Sequence, residues 1–252
     1  MRIGCVKYLN ARPLIHGWPG DVVLDHPSAL CAQLARGELD VALVSSFEFL
    51  RNPIYQIVDE VAISSDGPVY SVVVASDDDS RSPAIEIDPA SETSVALLRC
   101  LLNKRGTTFQ PALGDDLLSP LEDGRSRLLI GDHAIRFRQK FGAKYRYLDL
   151  GEDWKRTTEL PFVFALWLVR PEVNDSKSIA DQLRALRDKN LTNLDTVIAG
   201  QKELDPAFCD RYYREYLRFS FGNREKQGLR AFHELCVKQE LLPSREIAFS
   251  VV

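Results

Sequence analysis

The chain has 252 residues, 45% of them hydrophobic and 27% charged, which is enough for one large domain or two small ones around a real core and too apolar for a disordered chain. A net charge of −4 without any basic run excludes a nucleic-acid surface, whose phosphate contacts need clustered Lys and Arg. The five cysteines, Cys5, Cys31, Cys100, Cys209 and Cys236, are odd in number and never form a C-x-x-C pair, so they read as reduced core thiols rather than a disulfide framework or a zinc site.

Met1-Arg2 passes straight into strand residues without the apolar segment of a secretory signal, and no stretch approaches the roughly 20 apolar residues of a membrane helix. A cytoplasmic protein without membrane partners is expected. The first strand, Ile3 to Val6, leads through Asn10 to a short helix at Ala11-Arg12-Pro13-Leu14-Ile15, where Pro suits a first turn. A short strand at Asp21 to Leu24 and a helix from Pro27 to Arg36, closed by Gly37, precede the strand Asp40 to Val44. This βαβ rhythm implies a parallel sheet.

Gly67-Pro68 turns the chain into Val69 to Ala75, too apolar for a surface strand, and the polar segment Ser76 to Pro83 reads as a linker. A second lobe follows, with a strand at Ile85 to Asp88, a helix from about Glu92 to Asn103, a strand at Leu128 to Ile130 and a long apolar run from Leu160 to Val169. Helices then succeed one another at Ser176 to Asp188, Leu194 to Gly200, Asp205 to Arg218 and Arg224 to Gln239. The runs Val69 to Ala75 and Pro161 to Val169 bracket the middle lobe and are the natural hinge strands, giving one discontinuous lobe of residues 1–74 plus 168–252 and another of residues 75–167.

Four apolar strands run directly into small polar residues and then a helix: Ile3 to Val6 before Asn10, Val41 to Val44 before Ser45-Ser46, Ile85 to Ile87 before Ser91, Thr93 and Ser94, and Leu128 to Ile130 before Gly131-Asp132. Ligands of open α/β sheets sit at such carboxyl ends, where helix N-termini present unpaired N–H groups, so a polar, anion-seeking cleft between two lobes is predicted. No G-x-G-x-x-G, Walker loop, H-E-x-x-H or G-x-S-x-G is present, and the histidines are too dispersed to imply a metal site.

Several candidates carry two readings. Ser45 and Glu48 fit a capping box, leaving Ser46 as the ligand candidate of that pair. Ser91, Thr93 and Ser94 suit a helix N-terminus, a geometry that also binds carboxylates. Asn10 is an N-cap or a grip for a substrate hydroxyl. Ser71 is a lone hydroxyl among valines and needs a partner, and Asp132 with His133 follows a strand end.

Tyr8-Leu9-Asn10-Ala11-Arg12-Pro13-Leu14, Gly37-Glu38-Leu39-Asp40-Val41-Ala42-Leu43, Gly67-Pro68-Val69-x-Ser71-Val72, Thr93-Ser94-Val95-Ala96-Leu97-Leu98-Arg99 and Leu160-Pro161-Phe162-Val163-Phe164-Ala165-Leu166-Trp167, with Asp149-Leu150-Gly151-Glu152-x-Trp154, resemble the chorismate dehydratase family of the futalosine route to menaquinone. The motifs occur in the family's order and cover residues 1 to about 170; each is weak alone, and together they are specific.

The resemblance implies an α/β, two-lobed type II periplasmic-binding-protein-like fold with two hinge strands. It also implies conversion of the dianion chorismate to 3-[(1-carboxyvinyl)oxy]benzoate and water without metal or organic cofactor. Carried over by motif, Asn10 sits beside the reacting hydroxyl, Ser71 holds a carboxylate, and Thr93 with Ser94 presents the second-lobe helix. Two departures, a short segment between Ser76 and Ile85 and His133 where a small residue is usual, predict a reshaped second-lobe wall. The competing expectations are a non-catalytic small-anion binding protein of the same fold and the sister enzyme that makes a dihydroxynaphthoate.

Overall fold

In the computed structural model, residues 1–77, 84–87, 92–102, 107–112, 117–121 and 125–252 are described. The apolar run Ile3–Val6 forms β1, buried along its whole length, and a 3-10 turn at Leu9–Ala11 leads into the single-turn α1 (Arg12–Ile15). There follow β2 (Val22–Asp25), α2 (Pro27–Ala35), β3 (Val41–Ser45), α3 (Ser46–Arg51) and the ten-residue β4 (Gln56–Ser65). The middle of the chain supplies β5 (Val72–Ser76), β6 (Ala84–Ile87), α4 (Glu92–Leu102), β7 (Thr108–Pro111), β8 (Ser126–Ile130), α5 (Gly131–Phe141), β9 (Arg146–Asp149) and α6 (Leu150–Thr158). The apolar β10 (Phe162–Val169) is followed by α7 (Ser176–Thr192), α8 (Leu194–Ala199), α9 (Pro206–Arg211) and α10 (Asn223–Lys238).

The strands form two five-stranded sheets built to one plan, β2-β1-β3-β10-β4 and β7-β6-β8-β5-β9. In each, three strands are parallel, β1 with β2 and β3, β6 with β7 and β8. The fourth strand of each order runs antiparallel to both neighbours, β10 against β3 and β4, β5 against β8 and β9. Each antiparallel strand is entered from the other sheet, so the chain passes between the lobes twice.

Those passages are shorter than the sequence leads one to expect. β5 pairs only within the second sheet, and β10 pairs along its length with the first, Ala165 with Ser45 and Trp167 with Leu43. The passages are therefore residues 66–71 and 159–161, and Phe162 to Trp167 belong with the first sheet rather than the second lobe. The reason is that strands buried on both faces pair along their full length and leave the crossing to short connectors. β4 was hidden by Asp59-Glu60 in its centre; Glu60 has φ 65, and the β10–β4 register shifts there.

The helical final third is not a separate unit. α7 packs on α1 and β4, while α10 lies on β10 and reaches α4 of the other lobe, bringing Cys100 Sγ within 3.8 Å of Cys236 Sγ. All five cysteines are buried free thiols. No helix among the described residues is long and apolar enough to cross a membrane. Ser91 and residues 78–83 of the expected linker lie outside the described residues.

Candidate active site

The carboxyl ends of β1, β3 and β4, the start of β10, the start of β5 and the N-termini of α4 and α5 line a cleft that is partly open to solvent. This is the switch point of both sheets, where successive connections leave in opposite directions and open a crevice. Asn10, Ser45, Ser71, Thr93 and Ser94 all line it. Ser46, Asp132 and His133 do not.

Asn10 enters from the 3-10 turn after β1. Its Oδ1 is buried and has no hydrogen-bond partner among the described residues. An orphaned buried amide oxygen costs roughly 1–3 kcal/mol, and an atom held in that state at a cleft wall is poised for a ligand donor. The neighbouring Tyr8 lays its ring against Gly131, whose φ is 53 and where an added Cβ would come within 3.0 Å of the ring, so glycine is required by both conformation and contact.

Ser71 is fully buried at the end of the first passage, and its hydroxyl oxygen accepts a 2.6 Å hydrogen bond from the Tyr212 hydroxyl. That leaves the Ser71 proton for the cleft. The preceding Tyr70 has φ 64, an unusual conformation for a bulky residue. It is held by several contacts at once: Asp149 Oδ2 accepts from the Tyr70 N–H at 2.7 Å, and the Arg138 guanidinium stacks 3.8 Å over the Tyr70 ring while donating to its carbonyl at 3.0 Å. Asp149 also accepts from the Val69 N–H and caps α6 through Gly151 and Glu152. Gly151 is needed for this close approach, since a Cβ there would lie 2.6 Å from the Gly67 carbonyl oxygen.

The two lobes meet at the cleft through hydroxyls and two carboxylates, those of Asp132 and Glu92. Ser45 Oγ bonds Thr93 Oγ1 directly, and Thr93 Oγ1 also accepts from the Phe47 N–H at 3.2 Å. The expected capping box is therefore not formed: Ser45 caps nothing, because its hydroxyl is taken by the other lobe, and Glu48 is buried against Arg51 and Asn52. Ser46, expected on the wall, spends its hydroxyl on the Val163 carbonyl at 2.7 Å within the first lobe. Asp132 accepts from the Leu9 N–H at 2.9 Å, a latch between lobes rather than a wall residue, and burial holds its carboxyl above the usual aspartate range. His133 is half-buried on α5, outside the lining, so the expected reshaping of the wall by its side chain is not seen.

Among the described lining residues there is no Lys or Arg, and the one carboxylate is Glu92, tied by both oxygens to Arg51 at 2.9 and 3.2 Å. Beside it, Cys31, Glu48 and Glu92 bring one thiol and two carboxylates within 4.8 Å of one another. Arg51 already neutralises both carboxylates, and burial pushes the Cys31 thiol up to about 12, so the donor set is a protonated thiol and two occupied carboxylates, a poor fit for a cation. Sequence reasoning missed Tyr8, Ile63, Glu92, Phe164 and Tyr212 around the site; only the Tyr-Leu-Asn start and the Phe-Val-Phe-Ala run gave any signal for them.

A family model described as menaquinone biosynthesis matches residues 1–238. The chain belongs to this menaquinone biosynthesis family. Two curated relatives named chorismate dehydratase resemble it along most of their length: one from Thermus thermophilus is 29% identical, covering 92% of this chain and 93% of that protein, and one from Campylobacter jejuni is 27% identical, covering 91% and 90%. The fold of the family member is that of periplasmic binding proteins. A crystal structure of a protein from Archaeoglobus fulgidus superposes with TM-score 0.77 at 18% identity, covering 96% of this chain and 98% of that one. The periplasmic aliphatic sulphonate binding protein SsuA from Escherichia coli superposes with TM-score 0.68 at 12% identity, covering 97% and 94%.

Proposed function

We propose that this chain is a carbon–oxygen lyase that dehydrates chorismate to 3-[(1-carboxyvinyl)oxy]benzoate and water. The observation that carries the reading is the Asn10 side chain, a buried amide with an unpartnered oxygen at the end of β1, facing a wall of serine and threonine hydroxyls in a member of a menaquinone biosynthesis family. An amide both donates and accepts, which suits a carbon whose hydroxyl must leave.

The reaction needs little from the protein beyond position. The ring C–O bond breaks, the neighbouring C–H bond gives its electrons to the ring, and the proton passes to a base and from it to the departing hydroxyl, which leaves as water. Aromatisation of the cyclohexadiene supplies the driving force, so orientation and stabilisation of the leaving hydroxyl are the catalytic tasks. Asn10 orients that hydroxyl, Ser71 donates to a substrate carboxylate, and Ser94 with the N-termini of α4 and α5 offsets negative charge where no cationic side chain lines the wall. The resemblance to the chorismate dehydratase family implies that the substrate's own enolpyruvyl carboxylate takes the proton, and the pairing of Glu92 with Arg51 supports that reading.

Purified protein incubated with chorismate and a chelator should yield the enolpyruvyl benzoate, resolved by chromatography. Asn10→Ala should lower kcat about ten- to hundredfold, the worth of a lost hydrogen bond to a group developing charge, with little change in melting temperature. Chorismate recovered unchanged from folded protein would reject the lyase and leave a binding protein of the same fold.

A further inference from the structure

After α9 the helix widens into a π turn over Tyr212–Tyr216. One extra residue per turn is costly in a helix and recurs at functional sites, because it re-aims side chains that a regular helix would send elsewhere. Here two consecutive tyrosines, both buried, reach two different segments behind the cleft wall. Tyr212 Oη donates to Ser71 Oγ at 2.6 Å, on the passage into the second lobe, and Tyr213 Oη donates to the Leu9 carbonyl at 2.9 Å, one residue before Asn10. Tyr212 stacks on Phe208 with rings 5.8 Å apart and 13° from parallel, and Phe208 in turn packs on Tyr70. The tyrosine pair thus reaches one proposed substrate grip, Ser71, directly and the other, Asn10, through the preceding residue Leu9. Burial holds both phenols far above their usual range, so each stays protonated and remains a donor.

We propose that Tyr212 and Tyr213 are positioning residues of the cleft: Tyr212 fixes the direction in which the Ser71 hydroxyl donates, and Tyr213 fixes the turn that carries Asn10. A serine hydroxyl rotates freely unless its oxygen is engaged. With the Tyr212 proton on that oxygen, the Ser71 proton has the cleft as its outlet. Tyr213 holds the Leu9 carbonyl while Asp132 holds the Leu9 N–H, so the peptide groups before Asn10 are fixed from both sides. The two tyrosines act through different partners and have separable kinetic effects. This inference rests on the dehydratase reading.

Kinetics with chorismate on wild type, Tyr212→Phe, Tyr213→Phe, Ser71→Ala and the double variant Ser71→Ala/Tyr212→Phe, each checked by melting temperature, test both assignments. Tyr212→Phe keeps the ring and its stacking and is expected to raise KM about three- to tenfold with kcat nearly unchanged, and the double variant to match Ser71→Ala alone, because Tyr212 acts through Ser71. Tyr213→Phe is expected to lower kcat by a similar factor with KM nearly unchanged. Wild type inactive on chorismate sinks the dehydratase reading itself. Active wild type with KM penalties that multiply in the double variant, or a Tyr212→Phe variant with wild-type KM, overturns the role of Tyr212 alone; wild-type kcat in Tyr213→Phe overturns that of Tyr213. Should Tyr212→Phe fail to fold, 3-fluorotyrosine at position 212 retains the donor, and its fluorine resonance should move on addition of chorismate; an unmoved resonance overturns the assignment.

Discussion

The two passages between the lobes share one backbone device and differ in everything around it. Each contains a non-glycine residue in the left-handed region, Tyr70 at φ 64 in the first and Glu159 at φ 61 in the second. Around Tyr70 the support is buried and converging: Asp149 accepts from two passage N–H groups, Arg138 stacks on the ring, and Ser71 follows directly into the cleft. Glu159 is exposed and ends α6 as an ordinary left-handed cap, its carbonyl accepting from Lys155 at 2.9 Å and Arg224 at 2.8 Å, charges that also pair with Asp66 of the first passage. A strained residue held by several buried contacts fixes the direction of the Ser71 that follows it into the cleft; the same torsion at an exposed helix end only turns the chain.

Removing the buried support is the largest perturbation available. Asp149→Ala deprives two passage N–H groups and two cap N–H groups of their acceptor, and a loss of about 2–4 kcal/mol in urea unfolding is expected, with kcat/KM reduced more than tenfold because Ser71 loses its place. A loss below about 1 kcal/mol would mean that ring packing, not Asp149, holds the first passage.

A second effect belongs to the strand end on which the first passage leans, where Gly131 N–H donates to the Ser71 carbonyl at 2.7 Å and Asp132 follows. Burial, opposed by the Leu9 N–H and by the charges of Arg136 and Arg12, raises the Asp132 carboxyl above its unfolded value. A carboxyl raised in this way contributes stability that is fully present below the unfolded value, about pH 4, and is lost as pH rises through the folded one. Asp132→Asn keeps an oxygen for Leu9 and cannot ionise. The stability of wild type relative to this variant should therefore fall as pH rises from about 4 and level off beyond the folded value. A difference that grows over that range would show that the latch favours the ionised carboxylate.

The smallest effect is expected at the second passage. Glu159→Gly relieves the left-handed strain and leaves the carbonyl bonds intact, so stability should rise by up to about 1 kcal/mol while kcat and KM stay at wild-type values. Altered kinetics would place the second passage on an equal footing with the first and undo the contrast.

Local patterns made much of this protein readable. The four strand ends, the Gly37 helix stop and the burial of the cysteines follow from hydrophobic runs and from where small polar residues interrupt them, signals that reside in a few consecutive positions. That Asn10, Ser71, Thr93 and Ser94 line the cleft was legible for similar local reasons: Asn10 follows a strand end, Ser71 is a lone hydroxyl among valines, and Thr93 with Ser94 opens a helix. Ser45 and Ser46 show the limit. The S-x-x-E spacing reads as a cap, yet the Ser45 hydroxyl goes to Thr93, 48 residues away, and Ser46 to Val163, 117 residues away. A side chain near a helix start chooses between a local and a distant partner of similar hydrogen-bond strength, and packing decides which is within reach.

What the sequence determined by itself is therefore the alternation of strand and helix, the polar character of the strand ends and the family to which the motifs point, because each depends on burial period and residue chemistry along short stretches. Tertiary structure alone decided that the passages are residues 66–71 and 159–161, that Asp132 latches Leu9, and that Tyr212 stands behind Ser71 across 141 residues. These are contacts between segments with no shared periodicity, fixed only when two sheets close over one core and every buried donor must find an acceptor.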